Sequence, residues 1–369
     1  MSDRRAILTH YVPIALIGIA LIGLRPVLRQ ASYEAGLRET ANIQPVPVGE
    51  FLGTAFIGGF RAVAVDVAWV RAMRLQQEQK WYELLALYDL IADLQPRLEP
   101  VWAFNAWNMA FNISNAVETD EAAWPWVKRG LDFLTRGCER NPRFWRLRTT
   151  LAQMYFIRCG SVNDERTRYY HRRLYEETGK SNWEWCIYWT EQALATSGQV
   201  PPYSWNYIAV SLDEMAREAI GRGDMAEMRA LRYREIDSLQ QILERFPKYE
   251  PGETRIRETN ERLSAYELTE TAERLRKAGD TDGWLKAAGE ITTIWERLLA
   301  ADPWDEETIR NLKAMATAYA EQAPVLRLAG RSADADRCEG ESQRLWRLLA
   351  ERTTDEDAAG HAGEAAGRD

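Results

Sequence analysis

The chain has 369 residues, of which 46% are hydrophobic and 28% charged, values typical of a globular protein with ample core. Its net charge is −8, and Arg and Glu are interleaved without forming a basic stripe, so nucleic acid is not an expected partner. The three histidines are far apart, and the four cysteines form no Cys-x-x-Cys pair. Structural zinc and attached haem therefore have no support, and no cofactor is expected.

The N-terminus, residues 1–30, predicts a membrane anchor. Ala6 to Leu24 is apolar apart from Thr9 and His10, and ~20 mostly apolar residues span a bilayer. A cleaved signal peptide is the alternative, but no small-x-small cleavage site follows the apolar run at once. Arginines on both sides of the run leave the orientation open. A short tail before an anchor usually stays in the cytoplasm. We therefore expect the large domain, on the other side of the membrane, to lie outside the cytoplasm.

A linker is predicted for residues 31–49, followed by a helical domain at 50–350. The first segment of this domain, 50–70, is apolar enough to resemble a second membrane span. Arg61 and Asp66 lie in its middle, and charges at bilayer depth are costly. We therefore predict a buried first helix of the soluble domain, with a membrane-dipping segment as the alternative.

The last segment, residues 351–369, is acidic and rich in Ala and Gly. It has too little apolar surface to fold, so we predict a disordered tail.

From Val65 onward the sequence pattern predicts pairs of helices, and patterns typical of strands are nearly absent. Amphipathic helices precede four prolines, Pro96, Pro142, Pro247 and Pro303. A proline excludes the α conformation from the residue before it, so it ends one helix and allows the next to begin. Further helices are predicted after these prolines, at 101–113, 145–157, 256–268 and 309–319.

One helix, from Val101 to Ser114, is apolar almost all round and is predicted to lie in the inner layer of a stacked array. Asn105, Asn108 and Asn112 share one of its faces. These three are candidate partner-binding residues, because an amide can hold a peptide backbone with both a donor and an acceptor. The alternative is that they bond neighbouring helices inside the core, where polar groups are normally satisfied.

A second set of candidate partner-binding residues is aromatic. Trp185 and Trp189 are four residues apart and share a helix face. They could form a stacking surface for sugar rings or for the apolar side chains of a partner. The alternative is that they fill the core between helices, since aromatic side chains bury the most area.

Catalytic motifs are missing from the sequence. It contains no Gly-x-Ser-x-Gly, phosphate loop, His-Glu-x-x-His or dinucleotide fingerprint. We predict no catalytic residue and expect that the protein is not an enzyme.

The cysteines allow one disulfide hypothesis. Cys159 and Cys186 flank a long insertion, and a domain outside the cytoplasm would meet oxidising conditions that permit a bridge. Ordinary buried thiols are the alternative.

The helix pairs resemble the tetratricopeptide repeat (TPR) family in degenerate form, over about residues 66–350. The matching pieces are Leu151-Ala152-x-x-Tyr155 for the first helix of a repeat and Gly130-x-x-x-Leu134-x-x-Gly137-x-x-x-x-Pro142 for the second. Small residues in these patterns let the two helices approach. The spacing between prolines exceeds the family's ~34 residues because of insertions at 115–123 and 159–182.

The chain also resembles a group of bacterial membrane-anchored repeat proteins of unassigned function, through its Gly-Gly-Phe-Arg, Trp-Tyr-Glu-Leu and Trp-Ala-Phe-Asn-Ala-Trp-Asn-Met-Ala segments. These resemblances imply an all-α fold, a helical-hairpin repeat solenoid behind an N-terminal transmembrane helix. They place it as a single-pass protein of a bacterial inner membrane. Because a solenoid offers a long surface, we predict a membrane-tethered scaffold that binds protein partners. The alternative is a glycan-binding or polysaccharide-export accessory protein that uses its aromatic surfaces.

Overall fold

The computed structural model describes residues 48–160 and 164–352, with side chains for residues 61–160 and 164–351. The predicted anchor at Ala6–Leu24 and almost all of the predicted linker and tail lie outside the described residues. The chain divides into two compact units, Met1–Val70 and Arg71–Asp369.

The first helix, α1 (Val48–Gln77), begins inside the predicted linker. Val63, Val67 and Val70 on this helix are more than 60% exposed, whereas Val65 is buried. Over residues 61–70, the part of the segment with described side chains, the predicted first helix is therefore buried on one face only. No helix in the described part of the chain, α1 included, is long and apolar enough to cross a membrane.

Helices make up most of the remaining described chain. They are α2 (Trp81–Leu94), α3 (Glu99–Trp107), α4 (Ser114–Ala116), α5 (Asp120–Arg140), α6 (Trp145–Cys159), α7 (Glu165–Thr178), α8 (Asn182–Thr196), α9 (Pro202–Trp205), α10 (Tyr207–Arg222), α11 (Met225–Arg245), α12 (Glu250–Lys277), α13 (Thr281–Ala301), α14 (Glu306–Leu328) and α15 (Ser332–Arg352). A π-helical segment, π1 (Asn108–Ile113), joins α3 to α4. Residues 48–160 and 164–352 contain no strand, in agreement with the predicted all-α class.

The prolines end the helices where the sequence predicts. Helices α2, α5, α11 and α13 each stop two residues before a proline. At the end of α5, the Asn141 side chain donates hydrogen bonds to the carbonyl oxygen of Gly137 at 2.9 Å and of Pro96 at 2.8 Å. The same Pro96 oxygen accepts a bond from the indole of Trp102 at 2.9 Å. Two successive proline turns are thereby tied together.

The C-terminal half consists of helical hairpins in which α10 packs on α11, α12 on α13 and α14 on α15. The three turns contain Gly223, Gly279 and Gly330 with φ of 76°, 75° and 78°, a conformation that costs other residues more than glycine. After the first two of these glycines, Asp224 and Asp280 cap the next helix by accepting the backbone N–H three positions on. A repeated turn therefore sets a repeated hairpin.

The N-terminal half pairs α3 and π1 with α5, and α6 with α8. A Cβ added to Gly130 would lie 2.6 Å from the backbone oxygen of Ala106, and one added to Gly137 would lie 2.9 Å from the Trp102 ring. This confirms that small residues at these positions allow close approach between the helices. The predicted insertion at 159–182 contains α7.

All four cysteines are buried and free, so the proposed bond between Cys159 and Cys186 is not formed. Burial raises the pKa of each of these two thiols to about 12. Cys159 and Cys186 are therefore ordinary buried thiols, which was the alternative to a disulfide.

Candidate binding cavity

A cavity of about 580 Å³ lies in the second unit, between helices that are distant in sequence. Helix α7 contributes Arg168 and His171, and α10 contributes Glu214, Arg217 and Glu218. The end of α6, the start of α8 and the junction between α13 and α14 complete the lining. No single hairpin could form this cavity, because its walls come from elements more than one hairpin apart.

Two tryptophans line the cavity in different ways. Trp183 is buried, packs edge-on against Phe156 and donates its indole N–H to Glu218 Oε1 at 2.7 Å. Trp304 is 64% exposed, and its backbone N–H donates to Asp302 Oδ1 at 3.0 Å. Trp183 therefore forms a fixed wall, whereas the Trp304 indole is accessible to a ligand.

Asp305 and Arg217 form a charged pair that lines the cavity, with Arg217 donating to Asp305 Oδ1 at 2.7 Å and to Asp213 Oδ2 at 3.3 Å. Asp305 also caps α14 by accepting the Thr308 N–H at 3.2 Å. Burial of Asp305 disfavours its charged form, but Arg217 and Arg262 outweigh that effect and lower its pKa to about 2. The pair therefore stays ionised at neutral pH.

This pair belongs to a largely buried charge network of four carboxylates and four guanidinium groups. Its members are Asp213, Glu235, Asp305, Glu307, Arg217, Arg232, Arg255 and Arg262. Arg232 is fully buried and donates to Glu307 at 2.7 Å, to Glu235 at 3.1 Å and to Asp213. The formal charges of the network cancel, so it contributes no net charge to the cavity.

The sequence interpretation missed the charge network, although the pattern contained a signal. In α11, Arg232 and Glu235 lie between Met228 and Leu239 at spacings of four, three and four residues. That spacing places both charges on the buried face of the helix. Charges at such positions are costly unless they are paired, so the pattern predicts partners on neighbouring helices.

Outside the network, the cavity lining has an excess of acid. Its remaining acidic and basic side chains are Glu214, Glu218, Asp302, Glu306, Arg168 and His171, beside the neutral thiol of Cys159. Burial, and then the charge of Asp213, raise the pKa of Glu214. Within residues 48–160 and 164–352, no hydrogen bond or ion pair reaches the Glu214 carboxylate. The cavity thus presents carboxylates that lie outside the ion pairs of the charge network.

The three predicted Asn residues lie outside this cavity and differ in exposure. Asn105 and Asn108 are buried, whereas Asn112 is exposed. Asn108 donates to the Tyr88 hydroxyl at 2.6 Å and accepts from Asn112 at 2.6 Å. Neither amide atom of Asn105 has a partner among the described residues. Burial favours the internal interpretation for Asn105 and Asn108, since a partner cannot reach them without a rearrangement.

Trp185 and Trp189 lie on α8, also away from the cavity lining. Trp189 is buried, and Trp185 is half-buried. One face of Trp185 stacks on Tyr155 with centroids 5.7 Å apart, and its N–H donates to Thr178 Oγ1 at 3.1 Å. Both rings therefore serve mainly as packing between helices, with part of Trp185 left open.

The chain has only distant similarity to the known proteins below. No family model matches the chain, and no curated protein matches it. Among solved structures, it is similar to the crystal structure of the P58(IPK) TPR domain, with a TM-score of 0.24 and 11% identity over 82% of this chain and 97% of that one. It is also similar to a circular tandem repeat protein with novel repeat topology, with a TM-score of 0.22 and 15% identity over 86% of this chain and 71% of that one. These TM-scores are too low to support an argument about the fold. The helical-repeat description therefore rests on the helix pairs seen in this chain.

Proposed function

We propose that this protein is a membrane-tethered scaffold that binds a protein partner in the cavity and performs no chemistry on it. The observation that carries the proposal is the cavity of about 580 Å³, which combines the exposed indole of Trp304 with uncompensated carboxylates. Clefts that gather side chains from several elements are the usual places for ligands, and stacked helix pairs present such side chains to an extended peptide.

The glycan-binding alternative has weaker support. The two residues predicted to stack on a sugar ring offer little open aromatic face, because Trp189 is buried and one face of Trp185 is covered by Tyr155. The open part of Trp185 and the exposed Asn112 remain proposed secondary contacts for a protein partner.

Membrane tethering is proposed from Ala6–Leu24, whose apolar length suits a bilayer span. Such an anchor would raise the local concentration of the scaffold near membrane partners. The full chain should sediment with membranes and resist carbonate extraction, and a chain lacking residues 1–47 should not. Protease added to spheroplasts should digest the repeat domain, whereas full protection would place that domain in the cytoplasm.

A photo-crosslinking residue at position 304 tests whether the cavity binds a protein. In cells, it should give a discrete adduct with a partner, because the Trp304 side chain is exposed at the cavity. The matched control places the same residue at Tyr203, which is 69% exposed and does not line the cavity. Adducts of equal yield at both positions, or none at position 304, would contradict cavity binding.

A further inference from the structure

The charge of the cavity limits what can enter it. Arg217 and Asp305 are neutralised within the charge network, so the net charge comes from the other lining groups. Four carboxylates then face one guanidinium, that of Arg168, and the imidazole of His171. An anionic ligand would meet repulsion from most of these groups, whereas a cation would be attracted by them.

The individual carboxylates have free accepting capacity. Glu218 accepts the Trp183 indole N–H through Oε1, which leaves Oε2 for a ligand. Asp302 accepts a single backbone N–H through Oδ1. Glu214 has no ion-pair partner in the described ranges, and burial makes a bare carboxylate there costly. A bound cation would satisfy these oxygens.

The cavity also provides an aromatic face. The exposed indole of Trp304 lies two residues from Asp302, so a cation held by that carboxylate could also contact the ring. Gly160 also lines the cavity, and a side chain there would collide with the Asn182 amide. That amide is fully buried, and neither of its polar atoms has a hydrogen-bond partner among the described residues.

From these contacts we propose that the cavity binds the cationic side chain of an arginine or lysine in an extended segment of the partner. This inference rests on the proposed function, since it names the chemistry of the partner that the scaffold recognises. Carboxylates supply charge-assisted hydrogen bonds to the cation, and the Trp304 indole covers its apolar stem.

The test uses the full-length protein in detergent, immobilised and exposed to acetylated, amidated hexapeptide mixtures. One central position is fixed as arginine, lysine, citrulline or glutamate, and the others are varied. Arginine and lysine mixtures should be retained about tenfold more than citrulline mixtures, because citrulline keeps the shape of arginine without its charge. The ratio of arginine to lysine retention distinguishes a guanidinium from an ammonium site.

Two variants locate the effect. Glu214→Gln combined with Asp302→Asn should abolish the preference for arginine over citrulline, whereas Glu267→Gln, an exposed change on α12 outside the cavity, should keep it. Circular dichroism checks that the double variant is folded. Equal retention of arginine and citrulline mixtures, or preference for glutamate, would overturn this inference and leave peptide binding intact. Failure to retain any mixture would instead contradict the proposed function.

Discussion

Replacing Arg232 with Met removes the central cation of the charge network while keeping most of the apolar stem. The Arg232 side chain is fully buried, and so are Glu235 and Glu307, which it bonds. Removing one partner of a buried ion pair costs about 3–5 kcal/mol, because the remaining charge is left desolvated without compensation. We expect Arg232→Met to lower the free energy of unfolding by that amount.

The matched control is Arg229→Met, one turn away on the same helix. Arg229 pairs with Glu270, whose side chain is 51% exposed, so its loss should cost no more than about 1 kcal/mol. Urea unfolding followed by tryptophan fluorescence compares the two variants without screening their charges. Because repeats can unfold separately, amide exchange should show reduced protection in α10, α11 and α12 but not in α5. A loss in Arg232→Met within about 1 kcal/mol of the control would refute a stability role for the charge network.

Four further results are expected. Gly130→Ala should destabilise the protein by about 1–3 kcal/mol in thermal unfolding, since the new Cβ would meet a backbone oxygen. The control Gly289→Ala has open space at its Cβ and should stabilise the protein by up to about 1 kcal/mol. Shifts of the same sign in both variants would argue against close approach of the helices at Gly130. Asn108→Ala should lower the free energy of unfolding by about 1–3 kcal/mol, because it removes the buried hydrogen bond to the Tyr88 hydroxyl. An unchanged melting temperature would show that the Asn108 amide does not stabilise the fold. Because the pKa of Asp305 is lowered in the folded protein, its carboxylate contributes stability above the unfolded-state pKa of ~3.9, and this stability is lost as the pH falls toward about 2. Asp305→Asn should therefore flatten the decline in the free energy of unfolding below about pH 5. Parallel curves of unfolding free energy against pH for the two proteins would contradict this linkage. The native protein at about pH 8 should resist alkylation by iodoacetamide, since burial raises the thiol pKa. Denaturation without reductant should expose four reactive thiols. Two alkylated thiols fewer than in a reduced sample would indicate a disulfide.

Local properties of the sequence determined the helix boundaries. The ends of α2, α5, α11 and α13 follow from the proline two residues on, because the restriction on the preceding residue acts within one peptide unit. The close approach at Gly130 and Gly137 was also readable, since a missing Cβ is a property of the residue itself.

The Asn helix shows where the local pattern was insufficient. A regular helix places Asn105, Asn108 and Asn112 on one face, and the sequence contains no residue that stops it. In the structure, π1 begins at Asn108 and changes the helical repeat. Asn108 is buried among polar partners, whereas Asn112 is exposed. Packing against neighbouring helices decides that exposure.

Only the tertiary structure decided the charge network and the cavity. A charged residue such as Arg232 reveals by its spacing that it points inward, but its partners Asp213 and Glu307 belong to α10 and α14. The cavity likewise joins His171 of α7 to Trp304 near the start of α14. Electrostatic energy depends on distances between charges and on their removal from water, and the stacking of the hairpins sets both.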